Sequence, residues 1–411
     1  MPARLVPFRA LRYAPGTDLD AVIAPPYDVL SEADVAGLRN RHPHNVVHLD
    51  VPAGGESGSL TDRYAAAGRL LADWRDDGVL VRDADPSLTI YRMSFTDSTG
   101  AARELVGVLG GLEVVDEGAG GVLPHERTTP KASTDRLDLT RATQANLSPV
   151  WGLSLARGLT ELLRGPAEEV GALTVDGVEH RVERLTDPDR IAAICDLVGS
   201  DDVLIADGHH RYGVARRIRD EIRSATGRSD TPAEHTLAFV GELVPEQLAV
   251  AAIHRLVAGL PHEDVCRVLA RDFELTEVPA DLAPGGDPAG LLAAMDELGR
   301  LVLVAPDGSA HWLTPRPGAF DGIRSLDGAW LEHTLAGSDV TISYQHGVAE
   351  VLRALADPTG QAGDAAYTAG ILIRPTSLAE IERTAREGLL MPPKSTFFTP
   401  KLRTGLVIRE L

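Results

Sequence analysis

The chain alternates between short apolar runs and amphipathic stretches, and this pattern predicts a mixture of strands and helices. Apolar runs rich in β-branched residues predict strands at 45–50, 87–95, 104–115, 148–153, 203–206, 235–242, 250–256, 301–304, 369–373 and 406–408. Apolar residues at helical spacing predict helices at 64–74, 133–146, 187–198, 212–226, 261–273 and 378–387. Because both kinds of element occur along the whole chain, the pattern indicates an α+β fold.

One strand-to-helix junction, called the corner below (residues 203–212), carries several charged and donor side chains. Its sequence is Val-Leu-Ile-Ala-Asp-Gly-His-His-Arg-Tyr, in which Gly208 permits a sharp turn between strand and helix. The first backbone N–H groups of a helix favour an anion, and Arg211 supplies a planar fork that matches phosphate oxygens. The corner therefore predicts a phosphate-binding site, although ordinary solvated turns show the same local pattern. The residues concerned are Asp207, Gly208, His209, His210 and Arg211.

Four further segments place reactive or donor side chains on proline-stiffened loops or beside strand ends, where proteins often carry functional groups. The candidates are Tyr27 and Asp28 after two prolines, His125, Glu126, Arg127, Thr128 and Lys131 in the loop 124–131, His254 and Arg255 near a strand end, and Lys394, Ser395 and Thr396 in the loop 391–401. Two alternatives stay open. Asp28 is equally suited to cap a helix that begins near Ser31, and Lys394 is equally typical of an exposed lysine on a rigid loop.

Charge and composition narrow the classes of partner. The chain has 411 residues, with 60 acidic and 40 basic side chains and a formal net charge of −20. Such an excess of negative charge argues against nucleic acid or an anionic membrane as a partner of the general surface. The N-terminus lacks an apolar signal core, and no apolar run reaches the roughly 18 residues of a membrane span. We therefore expect a soluble, cytoplasmic protein with neither a nucleic-acid nor a membrane partner.

Four motifs, taken in order, resemble those of a known family. They are Ala-Pro-Pro-Tyr-Asp-Val at 24–29, Pro-His-Glu-Arg-Thr at 124–128, Ala-Asp-Gly-His-His-Arg-Tyr at 206–212 and Met-Pro-Pro-Lys-Ser-Thr at 391–396. On these motifs the chain resembles the bacterial domain-of-unknown-function family 1015. Members of that family usually carry Pro-Thr-His-Arg where this chain has Ala-Ile-His-Arg at 252–255, so the contribution of that loop is left open.

The central part of that family in turn resembles the free serine kinases of the ParB/sulfiredoxin-like superfamily. In that fold an Asp-Gly-His-x-Arg corner holds the nucleotide phosphates, and Asp207, Gly208, His209 and Arg211 match it position by position. The resemblance implies that Glu126 is the base that activates the serine hydroxyl. We accordingly expect an N-terminal α/β part at 1–105, a ParB/sulfiredoxin-like core at 106–260 and a C-terminal α+β part at 261–411.

The resemblance implies a phosphotransferase that acts on a small hydroxyl metabolite, with free L-serine as the first candidate, and the residues named above could support that chemistry. Phosphoryl transfer needs neutralised phosphate charge, alignment and a carboxylate to receive the hydroxyl proton. ATP, ADP or pyrophosphate is the expected donor, and the reaction is expected to be reversible with O-phosphoserine. Asp207 and His209 are expected to act beside Glu126 in catalysis, with Asp207 as a candidate ligand for Mg²⁺.

The remaining candidates divide between the two sides of the predicted site. The phosphate side is expected to include His210, Arg211, Lys394, Ser395 and Thr396, and the substrate side Tyr27, Asp28, His125, Arg127, Thr128, Lys131, His254 and Arg255. Because an acidic chain that binds a polyanion must gather its cations locally, we predict that the loops 124–131 and 391–401 both border the corner. Two alternatives are a ParB-like switch that binds or hydrolyses a nucleotide, and a non-catalytic protein that binds a phosphorylated metabolite.

Overall fold

The chain forms two compact units that do not follow one another simply along the sequence. The computed structural model describes residues 2–53, 60–97, 100–126, 130–357, 361–362 and 365–411. Unit 1 comprises Met1–Ala249, Ala385–Gly388 and Pro400–Leu411, and unit 2 comprises Val250–Thr384 and Leu389–Thr399. The C-terminal part of the chain therefore contributes to both units. The three-part division predicted from the sequence stays a prediction.

Unit 1 is built on one large mixed sheet. The first twelve strands that the structure describes all lie in unit 1. They are β1 (Leu5–Val6), β2 (Leu11–Tyr13), β3 (Leu80–Arg82), β4 (Leu88–Thr96), β5 (Ala102–Glu113), β6 (Val122–Leu123), β7 (Ala145–Asn146), β8 (Val150–Ser154), β9 (Glu168–Val175), β10 (Val178–Leu185), β11 (Val203–Asp207) and β12 (His235–Glu242), of which β2, β3 and β7 are outside the large sheet. Its helices are α1 (Leu19–Val22), α2 (Glu32–Arg41), α3 (Val47–Asp50), α4 (Leu60–Asp76), α5 (Pro130–Thr143), α6 (Leu159–Leu163), α7 (Pro188–Val198) and α8 (His209–Thr226). The order of the sheet is β6-β11-β8-β12-β5-β4-β10-β9, with β1 beside β5.

The register of the first three strands of this sheet determines where the corner lies. Strand β6 runs parallel to β11, with Val122 opposite Val203 and Leu123 opposite Leu204, whereas β8 runs antiparallel to β11. Residues 203–206 are buried because both faces of this part of the sheet are covered. Helix α8 packs its apolar side, including Val214 and Ile218, against Leu137 of α5.

Unit 2 is a second sheet covered by helices on both faces. After β13 (Ala249–Ala251), the strands are β14 (Ile253–Ala258), β15 (Phe273–Glu277), β16 (Leu301–Val304), β17 (Ala310–Pro315), β18 (Thr341–His346), β19 (Gln361–Ala362), β20 (Ala365–Leu372) and β21 (Phe397–Thr399). The helices are α9 (His262–Leu269), α10 (Pro288–Leu298), α11 (Asp327–Leu335), α12 (Val348–Ala356) and α13 (Leu378–Arg386). The sheet order is β15-β17-β16-β20-β14-β18, with β19 beside β20. Apolar residues of α10 and α12 form one core cluster with the sheet, and those of α9 and α11 form another.

The last strand, β22 (Arg409–Glu410), pairs with β7 in unit 1. The predicted α+β class is confirmed by this mixture of sheets and helices, while the ParB/sulfiredoxin-like character of the core stays a prediction. Within the described ranges, no helix combines the length and the apolar character that a membrane crossing requires.

Some predicted elements differ from the observed ones, chiefly where side chains bond to the backbone. The segment 45–50 was expected to be a strand, but residues 47–50 form α3. The reason is local, because the Asn45 side chain accepts a hydrogen bond from the backbone N–H of Val47 at 3.0 Å and donates to the carbonyls of Ala21 and Ile23. Such side-chain bonds compete with strand pairing and favour the start of a helix.

Other differences concern where elements begin and end. Helix α8 begins at His209 rather than at residue 212, α9 ends at Leu269, and the predicted strand 250–256 is interrupted between β13 and β14. The predicted strand 406–408 is reduced to an isolated bridge between Ile408 and Leu11. The spacing of apolar residues does not reveal where an element ends, because the end depends on the pairing partner and on capping geometry.

Candidate functional site

The corner consists of the end of β11, a single glycine and the first turn of α8. Gly208 has φ 88° and ψ 28°, a left-handed conformation that disfavours other residues. A Cβ atom at this position would also lie 3.0 Å from Nε of Arg211. Glycine is therefore required both for the backbone conformation and for the close approach of the arginine. The first bond within the helix runs from Tyr212 N–H to the Gly208 carbonyl, so the three preceding N–H groups have no acceptor within the helix.

Asp207 is held between two cations. Arg211 Nη2 lies 2.5 Å from Oδ2, and Lys401 Nζ lies 2.9 Å from Oδ1. Burial would raise the pKa of Asp207, but the charges of Lys401 and Arg211 outweigh it and hold the pKa well below its ordinary value. Arg211 also donates to the carbonyl of Pro149. The carboxylate therefore stays ionised and orients both cations.

Arg211 keeps binding capacity beyond these contacts. Its side chain is only 9% exposed, and within the described residues its buried Nε has no hydrogen-bond partner. Burial tends to lower the pKa of Arg211, but Asp207, Asp28 and Tyr27 raise it above its ordinary value. A guanidinium that is fully charged, oriented and incompletely bonded is suited to hold an oxyanion.

Two histidines lie edge to face beside the corner. The ring centroids of His125 and His209 are 4.8 Å apart, and the backbone N–H of His125 donates to Nε2 of His209 at 3.4 Å. Burial lowers the pKa of His125 to about 4 and also lowers the pKa of His209 well below its ordinary value. Both imidazoles are therefore neutral at pH 7 and take part through hydrogen bonds rather than through charge. His210 is half-buried in the same first turn of α8.

The position of Glu126 follows from the parallel pairing of β6 with β11. Leu123, the last residue of β6, pairs with Leu204, and Glu126 follows three residues later in the chain. The contact between His125 and His209 places the residue before Glu126 beside the corner. Glu126 is half-buried. The predicted base thus follows β6 at the edge of the sheet that carries the corner.

A buried ion pair that the sequence did not reveal lies near Arg211. Arg136 donates from Nη1 to Asp50 at 2.9 Å, and its guanidinium lies 4.0 Å from the ring centroid of Tyr27. Asp50, Arg136 and Arg211 line a cavity of about 40 Å³. Burial raises the pKa of Asp50, and of Tyr27 to about 12. In the sequence the one available signal was that the acidic Asp50 ends an apolar segment.

Not every predicted site residue can be placed at the corner. Arg127 and Thr128 lie outside the described residues, as does the side chain of Lys131, whose backbone lies in the first turn of α5. His254, Arg255, Lys394, Ser395 and Thr396 belong to unit 2. There Ile373 N–H donates to His254 Nδ1 at 3.2 Å, and Arg255 Nη2 donates to the Lys394 carbonyl at 3.2 Å. The convergence of these residues with the corner stays a prediction, and from the loop 391–401 it is Lys401 that contacts Asp207.

The arrangement around Asp207 does not favour a metal ion. Both carboxylate oxygens already contact cationic groups, and the positive charges of Lys401 and Arg211 would repel Mg²⁺ at this position. In the part of the chain that the structure describes, no group of three or more His, Cys, Asp or Glu side chains is arranged to hold a metal. The predicted role of Asp207 as a Mg²⁺ ligand therefore does not fit this geometry.

Comparisons with known proteins give one family and several distant structures. A free serine kinase in complex with AMP is 14% identical, with a TM-score of 0.37, covering 69% of this chain and 88% of its own. A conserved hypothetical protein from Pyrococcus furiosus is 12% identical, with a TM-score of 0.38 and coverage of 70% and 91%. A C-terminally truncated SbnI from Staphylococcus aureus is 12% identical, with a TM-score of 0.37 and coverage of 73% and 87%.

Identities and scores this low say nothing about the activity of the chain. Among curated proteins, the comparison found no match. The family model described as "Protein of unknown function (DUF1015)" matches residues 5–329, which is most of the chain and includes three of the four motifs. The family predicted from the motifs is thereby confirmed, and the chain belongs to the DUF1015 family.

Proposed function

We propose that this protein is a phosphotransferase that moves a phosphoryl group onto the hydroxyl of a small metabolite, with free L-serine as the first candidate. The observation that supports it most is the pairing of Arg211 and Lys401 on Asp207 at the start of α8. In a chain with a net charge of −20, two oriented cations beside helix N–H groups form a local site for a polyanion.

Each part of the corner has a distinct task in this proposal. The first-turn N–H groups of α8 and the guanidinium of Arg211 bind phosphate oxygens, and Lys401 adds a second positive charge. Asp207 orients both cations and does not react. His209 and His125, being neutral, donate or accept hydrogen bonds without repelling the cations. The donor is ATP, ADP or pyrophosphate.

Glu126 is assigned as the general base. The serine Oγ attacks the transferred phosphorus, its proton passes to the Glu126 carboxylate, and the bond from phosphorus to the bridging oxygen breaks. The leaving group is ADP, AMP or phosphate, according to the donor. A carboxylate suits this step because the hydroxyl becomes acidic only as the new bond forms. Tyr27 and Asp28 are assigned to the acceptor side, since both act electrostatically on Arg211.

The test is a donor-by-acceptor screen read by ³¹P NMR. The full chain is incubated with ATP, ADP or pyrophosphate, each with and without Mg²⁺ and with L-serine, D-serine or no acceptor. We expect an O-phosphoserine signal with one donor, in equal amount to the leaving group. Donor loss that does not depend on serine would instead indicate a nucleotide-hydrolysing switch. Donor binding without turnover would indicate a phosphometabolite-binding protein, and either result would reject the kinase assignment.

Two variants with matched controls assign the roles. Glu126→Gln keeps the shape but removes the basicity, so turnover should fall by about a hundredfold or more with unchanged nucleotide affinity. Glu117→Gln alters an exposed glutamate of unit 1 and should leave turnover unchanged. Arg211→Ala should cost about 2 kcal/mol of nucleotide binding, whereas Arg216→Ala, on the same helix, should not. Equal effects in either matched pair would reject the corresponding role.

A further inference from the structure

Unit 2 contains a polar cavity of about 350 Å³ that the proposed function does not use. All the residues that line it belong to unit 2. Its volume lies within the usual range of small-ligand pockets, roughly 300–1,000 Å³. The side chains that matter for its chemistry are three arginines and three hydroxyls, namely Arg255, Arg374, Arg383, Thr376, Ser377 and Ser395.

The carboxylates at the cavity are already bound to arginines. Arg374 donates to Asp327 from Nη2 at 2.6 Å and from Nε at 3.1 Å, and its backbone N–H donates to the same carboxylate at 2.8 Å. Glu380 accepts from Arg324 Nε at 2.5 Å and from Arg383 Nε at 3.0 Å. These bonds orient the guanidinium groups and engage both oxygens of Asp327 and of Glu380.

The charge balance therefore leaves a surplus of donors. A guanidinium has five N–H donors, and a bidentate ion pair uses two of them. The acidic groups that face the cavity are Asp296, Asp327 and Glu380, against Arg255, Arg374 and Arg383 in the lining. Although the formal charges are equal, the arginines can still donate, whereas Asp327 and Glu380 are engaged. A ligand rich in acceptors is the complement of such a lining.

Arg255 is the most buried of these cations. It is 5% exposed, and its guanidinium lies 4.7 Å from the ring centroid of Tyr344. It donates to the carbonyls of Ile253 and Lys394. A Cβ atom at Gly328 would lie 3.4 Å from Arg255 Nη2, so the small residue at the start of α11 allows the guanidinium to approach. Packing thus keeps this positive charge at the wall of the cavity.

Two helices also begin at the cavity. Asp327 and Gly328, in the first turn of α11, line it. Ser377, which precedes α13 and accepts a hydrogen bond from Glu380 N–H at 3.3 Å, lines it as well. The starts of helices carry partial positive charge, and here it adds to the arginine charges that already face the same volume.

We propose that this cavity is an oxyanion-binding site that holds the carboxylate or phosphate group of a small metabolite. None of its lining residues belongs to unit 1. Arg374 and Arg383 bind the oxyanion through the N–H groups that Asp327 and Glu380 leave over. Ser377 adds a hydroxyl donor, because its oxygen accepts from Glu380 N–H and its proton remains to be donated.

The test is isothermal titration of the full chain with two probes, inorganic phosphate and succinate, which distinguish the two sources of oxyanion. We expect at least one probe to bind, and Arg374→Gln and Arg383→Ala each to weaken it by about tenfold or more. Arg383 is 56% exposed, so Arg383→Ala keeps the test valid if Arg374→Gln does not fold. Arg353→Ala is the matched control, because Arg353 is 74% exposed in unit 2 and pairs with Glu350 three residues away, as Arg383 does with Glu380.

The corner variant Arg211→Ala separates this site from the proposed kinase site. The proposal is supported if Arg211→Ala and Arg353→Ala still bind the probe while the cavity variants, Arg374→Gln and Arg383→Ala, bind it more weakly. This result does not depend on whether kinase activity is found. Binding that is lost in Arg211→Ala and kept in the cavity variants would overturn the proposal. The same holds if neither probe binds the wild-type chain, or if the Arg353→Ala control loses as much affinity as Arg383→Ala.

Discussion

Replacing Lys401 by methionine tests whether the ion pair on Asp207 holds the corner together. The two side chains are 13% and 20% exposed, and Nζ lies 2.9 Å from Oδ1. At an effective dielectric constant of about 20 the Coulomb attraction at this distance is roughly 6 kcal/mol before desolvation is subtracted. Breaking a buried pair usually costs about 3–5 kcal/mol. Because Asp207 retains Arg211 as a partner, we expect Lys401→Met to lower the free energy of unfolding of unit 1 by about 2–3 kcal/mol at pH 7.

The pH dependence of this loss identifies its cause. The pKa of Asp207 is lowered in the folded chain, so the carboxylate stabilises the fold above its unfolded pKa of about 4. That stabilisation is lost as the pH falls through the folded pKa. Lys401→Met raises the folded pKa and leaves less stabilisation to lose. The difference between wild type and variant should therefore stay constant until the pH reaches the raised folded pKa of the variant, and should narrow only below that value.

The assay is urea-dependent hydrogen exchange of peptides from β8 and β11, which reports on unit 1 alone. Lys401→Arg keeps the charge and should cost less than Lys401→Met. Arg164→Met removes an ion pair whose partners are 68% and 74% exposed, and it should change stability by no more than about 0.5 kcal/mol. A loss as small as that of the Arg164 control, or a loss from Lys401→Arg as large as that from Lys401→Met, would contradict the assigned ion pair.

Three further substitutions test neighbouring features of the corner. Gly208→Ala should lower the free energy of unfolding by about 1–2 kcal/mol, because residue 208 has a left-handed backbone conformation, and calorimetry should show weaker nucleotide binding. Gly213→Ala is the control and should be neutral or stabilising, because an added Cβ there meets no described atom within 4 Å. Asp50→Asn removes the buried charge opposite Arg136, which keeps Asp135 as a partner, and should destabilise unit 1 by about 2–3 kcal/mol in the same exchange assay; a loss below about 1 kcal/mol would refute that pairing. The pKa of His125 is about 4 in the folded chain and about 6.5 when unfolded. Between these two pH values the imidazole is protonated only in the unfolded state, so the free energy of unfolding should fall by about 3 kcal/mol as the pH drops from 6.5 to 4. Urea titrations of His125→Asn should lack this component, and an unchanged slope would show that His125 does not titrate in this way.

The local sequence pattern was sufficient to predict an element when the element and its functional side chains lie within a few residues of one another. The apolar run 203–206, the glycine and the arginine predict a strand, a turn and a helix start, and the structure has them in that order. The α8 boundary was misplaced by three residues, because the amphipathic pattern becomes clear only after the first turn. The segment 45–50 shows the limit, since Asn45 makes bonds to residues more than twenty positions away that no local pattern reveals.

Long-range pairing decided which distant residues reach the corner. The sequence by itself determined that the loop 391–401 carries two lysines, but it assigned Lys394 to the phosphate side. In the structure Lys401, 194 residues from Asp207, makes a contact that the sequence did not single out, and the assignment of Lys394 to the phosphate side stays a prediction. Asp50 and Arg136 likewise pair across 86 residues. Side-chain type and spacing specify local conformation, whereas strand register and burial against the rest of the core select the partner among chemically equivalent residues.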